Sequence, residues 1–187
     1  MPDLRIMIQF FTPYDLGGHL VNAYDRAIMS LESEEDWAVL MDGDTLIFDR
    51  DFGSVIAEYI KQWPDAGLFT CYASRCHYKY QTLSGVDANN DSLIYHRMKA
   101  EVVSKRRYQV TELRNPIAGH LMVIRKGVWM RIRKEVLAKT VNHKALGVDT
   151  NISWELFKIK KPIFLMEGLY ILHYLRFMEG QQNTTGL

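Results

Sequence analysis

The sequence predicts an α/β fold with a mostly parallel central sheet flanked by helices. Short apolar runs, which are typical of buried strands, alternate along the chain with segments whose apolar residues repeat at helical spacing. Two of these runs lead directly into polar loops, as expected at the carboxyl ends of parallel strands, where such folds bind ligands. The length of 187 residues is enough for a single domain, residues 1–187, with a core of its own.

Three strands and two helices are predicted in the first half of the chain. The first strand, over 4–11, ends in the turn-like stretch TPYDLGG, and a helix over 18–31 follows it. The second and third strands cover 37–41 and 67–73, where the chain is almost wholly apolar. Between them a second helix begins after Asp51, a residue type that caps helices. Its apolar stripe comprises Phe52, Val55, Ile56, Tyr59 and Ile60.

The second half begins with a long polar segment, residues 81–96, whose Gly, Asn, Asp and Ser content predicts a loop. Such a loop either closes over a ligand or is disordered. One strand, two helices and two short strands are predicted after it, in the order 119–125, 127–138, 150–160, 163–166 and 169–175. The polar tail, residues 178–187, is predicted to be frayed.

Composition and charge limit the classes of partner. A net charge of +1 argues against a nucleic-acid partner, which usually requires a strong basic excess. Short basic runs, such as KRR at 105–107, are typical of solvated helix faces, and contact with an anionic membrane surface stays open. Cys71 and Cys76 are too few for a disulfide framework. With neither a signal peptide nor an apolar run of about 20 residues, we expect a cytoplasmic protein, free or peripheral to a membrane.

The stretch WAVLMDGDTLIF places two carboxylates, Asp42 and Asp44, directly after a buried strand. In an extended chain these side chains face the same way. At about 5 Å and an effective dielectric of about 20, they repel by about 3 kcal/mol. One carboxylate then keeps its proton, or a divalent cation with oxygen ligands lies between them. The alternative is a hydrated surface turn, for which Asp-Gly-Asp is ordinary chemistry.

The same stretch resembles the D-x-D-x-T/V nucleophile motif of haloacid-dehalogenase-type phosphatases. Two features disagree with this family. Thr45 comes one residue early, and a strand and a helix precede the motif, although the family carries it on its first strand. We therefore rank this alternative below the next one.

Four segments, taken in order, resemble a compact family 2-type glycosyltransferase of the GT-A fold. They are FFTPYDLGG, DWAVLMDGDTLIF, NPIAGHLMVIRKGVW and LGVDTNISWELFKIKKPIFLMEGLYILHYLR. The chain departs from the family in one respect. Typical members carry a further strand with an acidic nucleotide contact between the first helix and the D-x-D strand, whereas this helix leads directly into DWAVLMDGD. The departure leaves the specificity for the nucleotide base open.

The resemblance implies an inverting, metal-dependent enzyme. Its substrates would be a nucleotide-sugar donor of the UDP or GDP type and a glycan or lipid-linked saccharide acceptor. Asp44 would bind the cation, Asp42 would bind the ribose or the cation, and His173 would be the third ligand. Taken alone, a histidine within an apolar strand is more often a structural residue. The cation would be Mn²⁺ or Mg²⁺, and an imidazole ligand favours Mn²⁺.

Further residues receive roles by the same resemblance. Thr12, Pro13, Tyr14 and Asp25 would bind the nucleotide, and Gly119 and His120 would lie near the donor sugar. Asp149 would be the general base that takes the proton of the acceptor hydroxyl. An alternative role for Asp149 is to cap the helix that follows it. An alternative for the whole chain is a GT-A-like domain that binds nucleotide or glycan without catalysis.

Overall fold

The computed structural model describes residues 6–140 and 147–174. The predicted tail at 178–187 lies outside these ranges. Twelve helices and strands follow one another in the described chain, together with a single 3₁₀ turn at Lys79–Gln81. In chain order they are β1 (Ile8–Phe11), α1 (Leu20–Met29), β2 (Trp37–Met41), β3 (Thr45–Ile47), α2 (Phe52–Gln62), β4 (Leu68–Ala73), α3 (Leu93–Ser104), β5 (Val110–Leu113), β6 (Leu121–Arg125), α4 (Lys126–Thr140), α5 (Val148–Lys158) and β7 (Ile163–His173).

The seven strands form one mixed sheet in the order β1-β2-β6-β4-β7-β3, and β5 pairs with β7 beside β3. The prediction of an α/β fold with a central sheet flanked by helices is confirmed. The prediction of a mostly parallel sheet is wrong, because β6 runs antiparallel to both β2 and β4, and β3 and β5 run antiparallel to β7. Alternation of strands and helices does not reveal this reversal, since β6 enters the sheet from a loop rather than from a crossover helix.

Helices cover both faces of the sheet, and β2 shows why. Its side chains alternate, so that Ala38 and Leu40 pack on α1, α4 and α5, while Trp37 and Val39 pack on α2. All four residues are buried, which is the condition that the apolar run WAVL predicts. Within the described ranges no helix is both long and apolar enough to cross a bilayer.

The last strand is longer than predicted. Two short strands were expected on either side of Glu167 and Gly168, but β7 runs without a break from Ile163 to His173. Its pairing with β4 shifts register between Cys71 and Tyr72, which leaves the Glu-Gly pair as a local irregularity in the ladder. A Cβ on Gly168 would lie 2.5 Å from the Cα of Arg107, so only glycine fits there.

Residues 82–92 of the polar segment form a folded loop, whereas residues 93–96, which were predicted as loop, are the first turn of α3. The side chain of Arg75 donates hydrogen bonds to the Ala88 carbonyl and to Asn89 Oδ1. The buried ring of His96, at the start of α3, has Nε2 2.7 Å from the Asn90 carbonyl and Nδ1 2.6 Å from the Tyr170 hydroxyl. These contacts fix the loop to the sheet. Of the two alternatives from the sequence, closure over a ligand stays a prediction.

Candidate functional site

The Asp-Gly-Asp segment forms a tight turn between β2 and β3. The backbone N–H of Asp42 donates to the His120 carbonyl at 3.2 Å, and the Asp42 carbonyl accepts from Thr45 Oγ1 at 2.8 Å. Strand β3 then pairs with β7 so that Thr45 lies opposite His173. The backbone N–H of Tyr174 closes this end of the ladder by donating to the Asp44 carbonyl at 2.8 Å. The turn is thereby held against the last residue of β7.

Three predicted metal ligands come together at this point, and we name Asp42, Asp44 and His173 the Asp–Asp–His cluster. Nε2 of His173 lies 3.2 Å from Asp44 Oδ1 and 3.6 Å from Asp42 Oδ2. One possible ligand atom from each residue lies within 4.8 Å of the others. Two carboxylate oxygens and one imidazole nitrogen are suitable ligands for a divalent cation such as Mn²⁺.

The tautomer of His173 is set by the backbone. Its Nδ1 lies 3.1 Å from the Arg75 carbonyl, and a carbonyl only accepts hydrogen bonds, so Nδ1 carries the proton. Nε2 therefore faces the two carboxylates, and in metal-binding histidines it is the nitrogen remote from such a carbonyl contact that holds the metal. Ser74 fixes the strand end as well, because its hydroxyl accepts from the His173 N–H at 3.0 Å.

The electrostatics of the Asp–Asp–His cluster favour a cation. Burial raises the pKa of Asp42 to about 6; His173 opposes this rise, and the nearby charges of Asp44 and Asp149 add to it. His120 lies beneath the cluster, with its ring centroid 5.8 Å from that of His173. Burial lowers the pKa of His120 to about 4, so this ring is neutral at pH 7. The charged form of Asp42 is therefore costly, and a bound cation would offset that cost.

We expect Asp42→Asn to raise the free energy of unfolding of the metal-free protein at neutral pH. The folded-state pKa of Asp42, about 6, lies above the ordinary 3.8. Between these values the folded chain binds more protons than the unfolded chain, so stability falls as the pH rises through the window. The gain in the free energy of unfolding that asparagine gives is therefore complete above about pH 6 and vanishes below about pH 4. Urea titrations at both ends of the window, with a chelator present, measure it.

Asp65→Asn is the matched control for this experiment. Its carboxylate is 97% exposed. Asp65 lies just before β4, at the end of the strands away from the Asp-Gly-Asp turn. The control is expected to leave stability unchanged at both pH values. A lower stability of Asp42→Asn at neutral pH would contradict the raised pKa of Asp42.

Asp149 lies in the first turn of α5, beside the Asp–Asp–His cluster. Its Oδ2 accepts from the Gly119 N–H at 2.9 Å, and its Oδ1 accepts from the Thr150 N–H at 2.7 Å. Burial raises the pKa of Asp149, and these hydrogen bonds oppose the rise. Its charge also contributes to the raised pKa of Asp42. The backbone connects the two residues, because Asp149 accepts from Gly119 and the next residue, His120, accepts from the Asp42 N–H.

The loop after β1 lies against the Asp-Gly-Asp turn. A Cβ on Gly43 would be 3.5 Å from Cγ2 of Thr12, so the two segments are in contact. Pro13 is half-buried and Tyr14 is 74% exposed, which leaves the phenol ring open to solvent. Asp15 shapes the loop by accepting from the Gly17 N–H at 2.9 Å. Thr12 therefore lies beside the cluster, as the predicted nucleotide contact requires.

Two predicted contacts have different surroundings from those expected. The carboxylate of Asp25 binds Arg133 Nη2 at 2.7 Å and Trp129 Nε1 at 2.9 Å, so it joins α1 to α4. The ring of His120 is buried, and its Nε2 lies 3.0 Å from the Cys71 carbonyl, so the ring contacts β4 and its place near a donor sugar stays a prediction. In both cases the partner is distant in sequence, and a local pattern cannot reveal it. The third residue, Gly119, lies against Asp149: a Cβ on Gly119 would be 3.3 Å from Cβ of Asp149.

Sequence reasoning missed the residues that follow β4. Ser74 and Arg75 position His173, and the Tyr78 hydroxyl lies 3.4 Å from Thr150 Oγ1 beside Asp149. The signal was available, because a third strand was predicted at 67–73. Because the strands were predicted to be parallel, the carboxyl end of this strand was expected at the same end of the sheet as the Asp-Gly-Asp turn.

No protein-family model matches this chain, and a search of curated proteins finds no match either. What the site does therefore has to follow from its own geometry.

Proposed function

We propose that this chain is a metal-dependent glycosyltransferase of the family 2 type, with a GT-A-like fold. It transfers a sugar, with inversion, from a nucleotide-sugar of the UDP or GDP type to a glycan or lipid-linked saccharide. The observation that carries the proposal is the convergence of Asp42 and Asp44, in the turn after β2, with His173, at the end of β7. A hydrated surface turn would not require a histidine whose Nε2 is aimed at its carboxylates.

The donor set fits Mn²⁺ or Mg²⁺, and the imidazole favours Mn²⁺. A divalent cation held by the Asp–Asp–His cluster would bind the two phosphates of the donor and stabilise the charge of the nucleoside diphosphate leaving group. The protein itself holds the proposed ligands in position, without a bound substrate. The Arg75 carbonyl orients His173, and the backbone contacts of Asp42 hold the turn.

Thr12, Pro13 and Tyr14 would bind the nucleotide. Thr12 is next to the Asp-Gly-Asp turn, and the exposed ring of Tyr14 offers a face on which a base can stack. Strand β1 is the edge of the sheet among the described residues, in keeping with the further strand that the sequence lacks. Asp25 is not needed in this account, since its carboxylate is engaged between helices.

Asp149 would act as the general base. A carboxylate whose pKa is raised by burial accepts a proton more readily near neutral pH than an ordinary aspartate. Asp149 would take the proton of the acceptor hydroxyl while the oxygen forms its bond to the anomeric carbon and the sugar–phosphate bond breaks. The N–H groups of Gly119 and Thr150 hold the carboxylate in one orientation, and each carboxylate oxygen keeps a second lone pair for the proton.

A thermal-shift screen tests the proposal. Nucleoside diphosphates and their sugar conjugates are added with and without Mn²⁺, and the melting temperature is expected to rise only when a nucleotide and the metal are both present. The nucleotide that gives the largest rise identifies the base. The same rise without sugar transfer or donor hydrolysis would favour a non-catalytic binding domain. Phosphate release from an aryl phosphate, abolished by Asp42→Asn, would favour the phosphatase.

A further inference from the structure

Helix α3 carries an apolar stripe that no described part of the chain covers. Ile94, Met98 and Val102 follow one another at intervals of four residues, so they lie on one side of the helix. Their exposed fractions are 74%, 60% and 60%. The opposite side of α3 buries His96 and Val103 against the rest of the fold. We call the three exposed side chains the α3 stripe. Contiguous exposed apolar groups of this kind mark interaction surfaces.

The charge around the α3 stripe is strongly positive. Residues 93–107 contain five cationic side chains and one anionic side chain, Glu101, whereas the whole chain has a net charge of only +1. The cationic residues of this segment are Arg97, Lys99, Lys105, Arg106 and Arg107. A second basic segment, residues 125–139, has six cationic side chains and one anionic side chain, but its one exposed large apolar side chain is Met130. The α3 segment differs in joining a basic charge to a stripe of three exposed apolar side chains.

The positive surface continues from α3 to the end of β3. A pocket of about 330 Å³ between them is lined by Arg50, Arg97 and Arg107. Two of these arginines have acidic neighbours, since Arg97 pairs with Glu101 at 3.4 Å and Arg107 pairs with Asp49. The guanidinium groups still outnumber the carboxylates in the pocket lining.

We propose that the α3 stripe docks on an anionic membrane surface. A helix with exposed apolar side chains among lysine and arginine residues is the arrangement that lies in the interface of a bilayer. The apolar side chains enter the acyl boundary, and the cations meet the anionic headgroups. The charge of residues 93–107 is complementary to such a surface, which favours a membrane over an apolar protein groove as the occupant. The inference is independent of the proposed sugar transfer.

Co-sedimentation with lipid vesicles tests the proposal. The full chain is expected to bind vesicles of equal parts phosphatidylcholine and phosphatidylglycerol and not those of phosphatidylcholine alone. Binding is expected to weaken several-fold at about 0.5 M NaCl, because salt screens the cations. The double variant Ile94→Ser/Met98→Ser and the variant Lys105→Glu should each lower the bound fraction several-fold. Met130→Ser, which changes a 45% exposed methionine on α4, is the matched control and should bind like the wild type.

Three outcomes would overturn the proposal. The first is equal binding to both kinds of vesicle or to neither. The second is binding that the double variant retains in full, with circular dichroism showing that it is folded. The third is a wild-type dimer in light scattering that the double variant converts to monomer, since the α3 stripe would then join two copies of the chain.

Discussion

Asp44→Asn is expected to abolish the metal-dependent rise in melting temperature that a nucleoside diphosphate produces in the wild type. Asp44 contributes the carboxylate oxygen closest to Nε2 of His173, at 3.2 Å, and an amide is a much weaker ligand for a hard cation. Sugar transfer should fall by more than about 100-fold, beyond the loss typical of residues that only support a metal ligand. Thermal shift with Mn²⁺ and turnover of the donor measure the two effects.

The protein should stay folded in this variant, because the Asp44 side chain is 44% exposed and pairs only with His173 among the described residues. Asp65→Asn again serves as the control, since it removes the charge of an exposed carboxylate just before β4. If the nucleotide and Mn²⁺ stabilise Asp44→Asn as strongly as the wild type, the Asp–Asp–His cluster is not the metal site.

Asp149→Asn is expected to lower turnover by about 100- to 10,000-fold while nucleotide binding persists, because the loss of a general base has this magnitude. Burial raises the pKa of Asp149, and the base acts in its ionised form. The wild-type rate should therefore rise with pH as this carboxyl loses its proton, with a midpoint above the ordinary aspartate value. The variant should lose that limb of the pH profile. Initial rates across the acidic range, together with nucleotide titrations, test this expectation.

The predicted cap role of Asp149 is wrong, because α5 begins at Val148 and Gly147 is its N-cap; the structural role of Asp149 is to accept from two backbone N–H groups. Asparagine retains one acceptor, so Asp149→Asn should lose about 1 kcal/mol of stability. A second variant, Asp149→Ser, keeps a hydroxyl that can accept a hydrogen bond but removes the carboxylate. Both variants should be inactive if Asp149 is the base. Full activity in either folded variant would leave Asp149 with the structural role alone.

Local patterns predicted the parts of the fold that depend on burial. Strand β2 has the predicted bounds, 37–41, because every residue of WAVLM lies between two layers of helix. The convergence of His173 with the Asp-Gly-Asp turn was expected only from the family resemblance. Periodicity could not supply it, because it depends on the antiparallel pairing of Thr45 with His173 in strands remote in sequence.

The three elements that the sequence did not predict, β3, β5 and α3, lack a regular alternation of buried apolar and exposed polar residues. Strand β3 has three residues, and the middle two residues of β5 are exposed. Helix α3 was missed because its outward side is apolar at Ile94 and Met98, which removes the contrast between buried and exposed faces. The side of that helix predicted to interact with a membrane is thus the reason that its sequence does not indicate a helix.

The pairing of β3 with β7 also governs when the cluster can exist. Asp42 and Asp44 are synthesised early, yet their partner His173 ends the last described strand. If the Asp–Asp–His cluster binds Mn²⁺, a nascent chain can bind the ion only after residue 173 has been synthesised and β7 has paired in the sheet. Mn²⁺ binding would then report completed folding, and any fragment that ends before β7 should not bind the ion at this site.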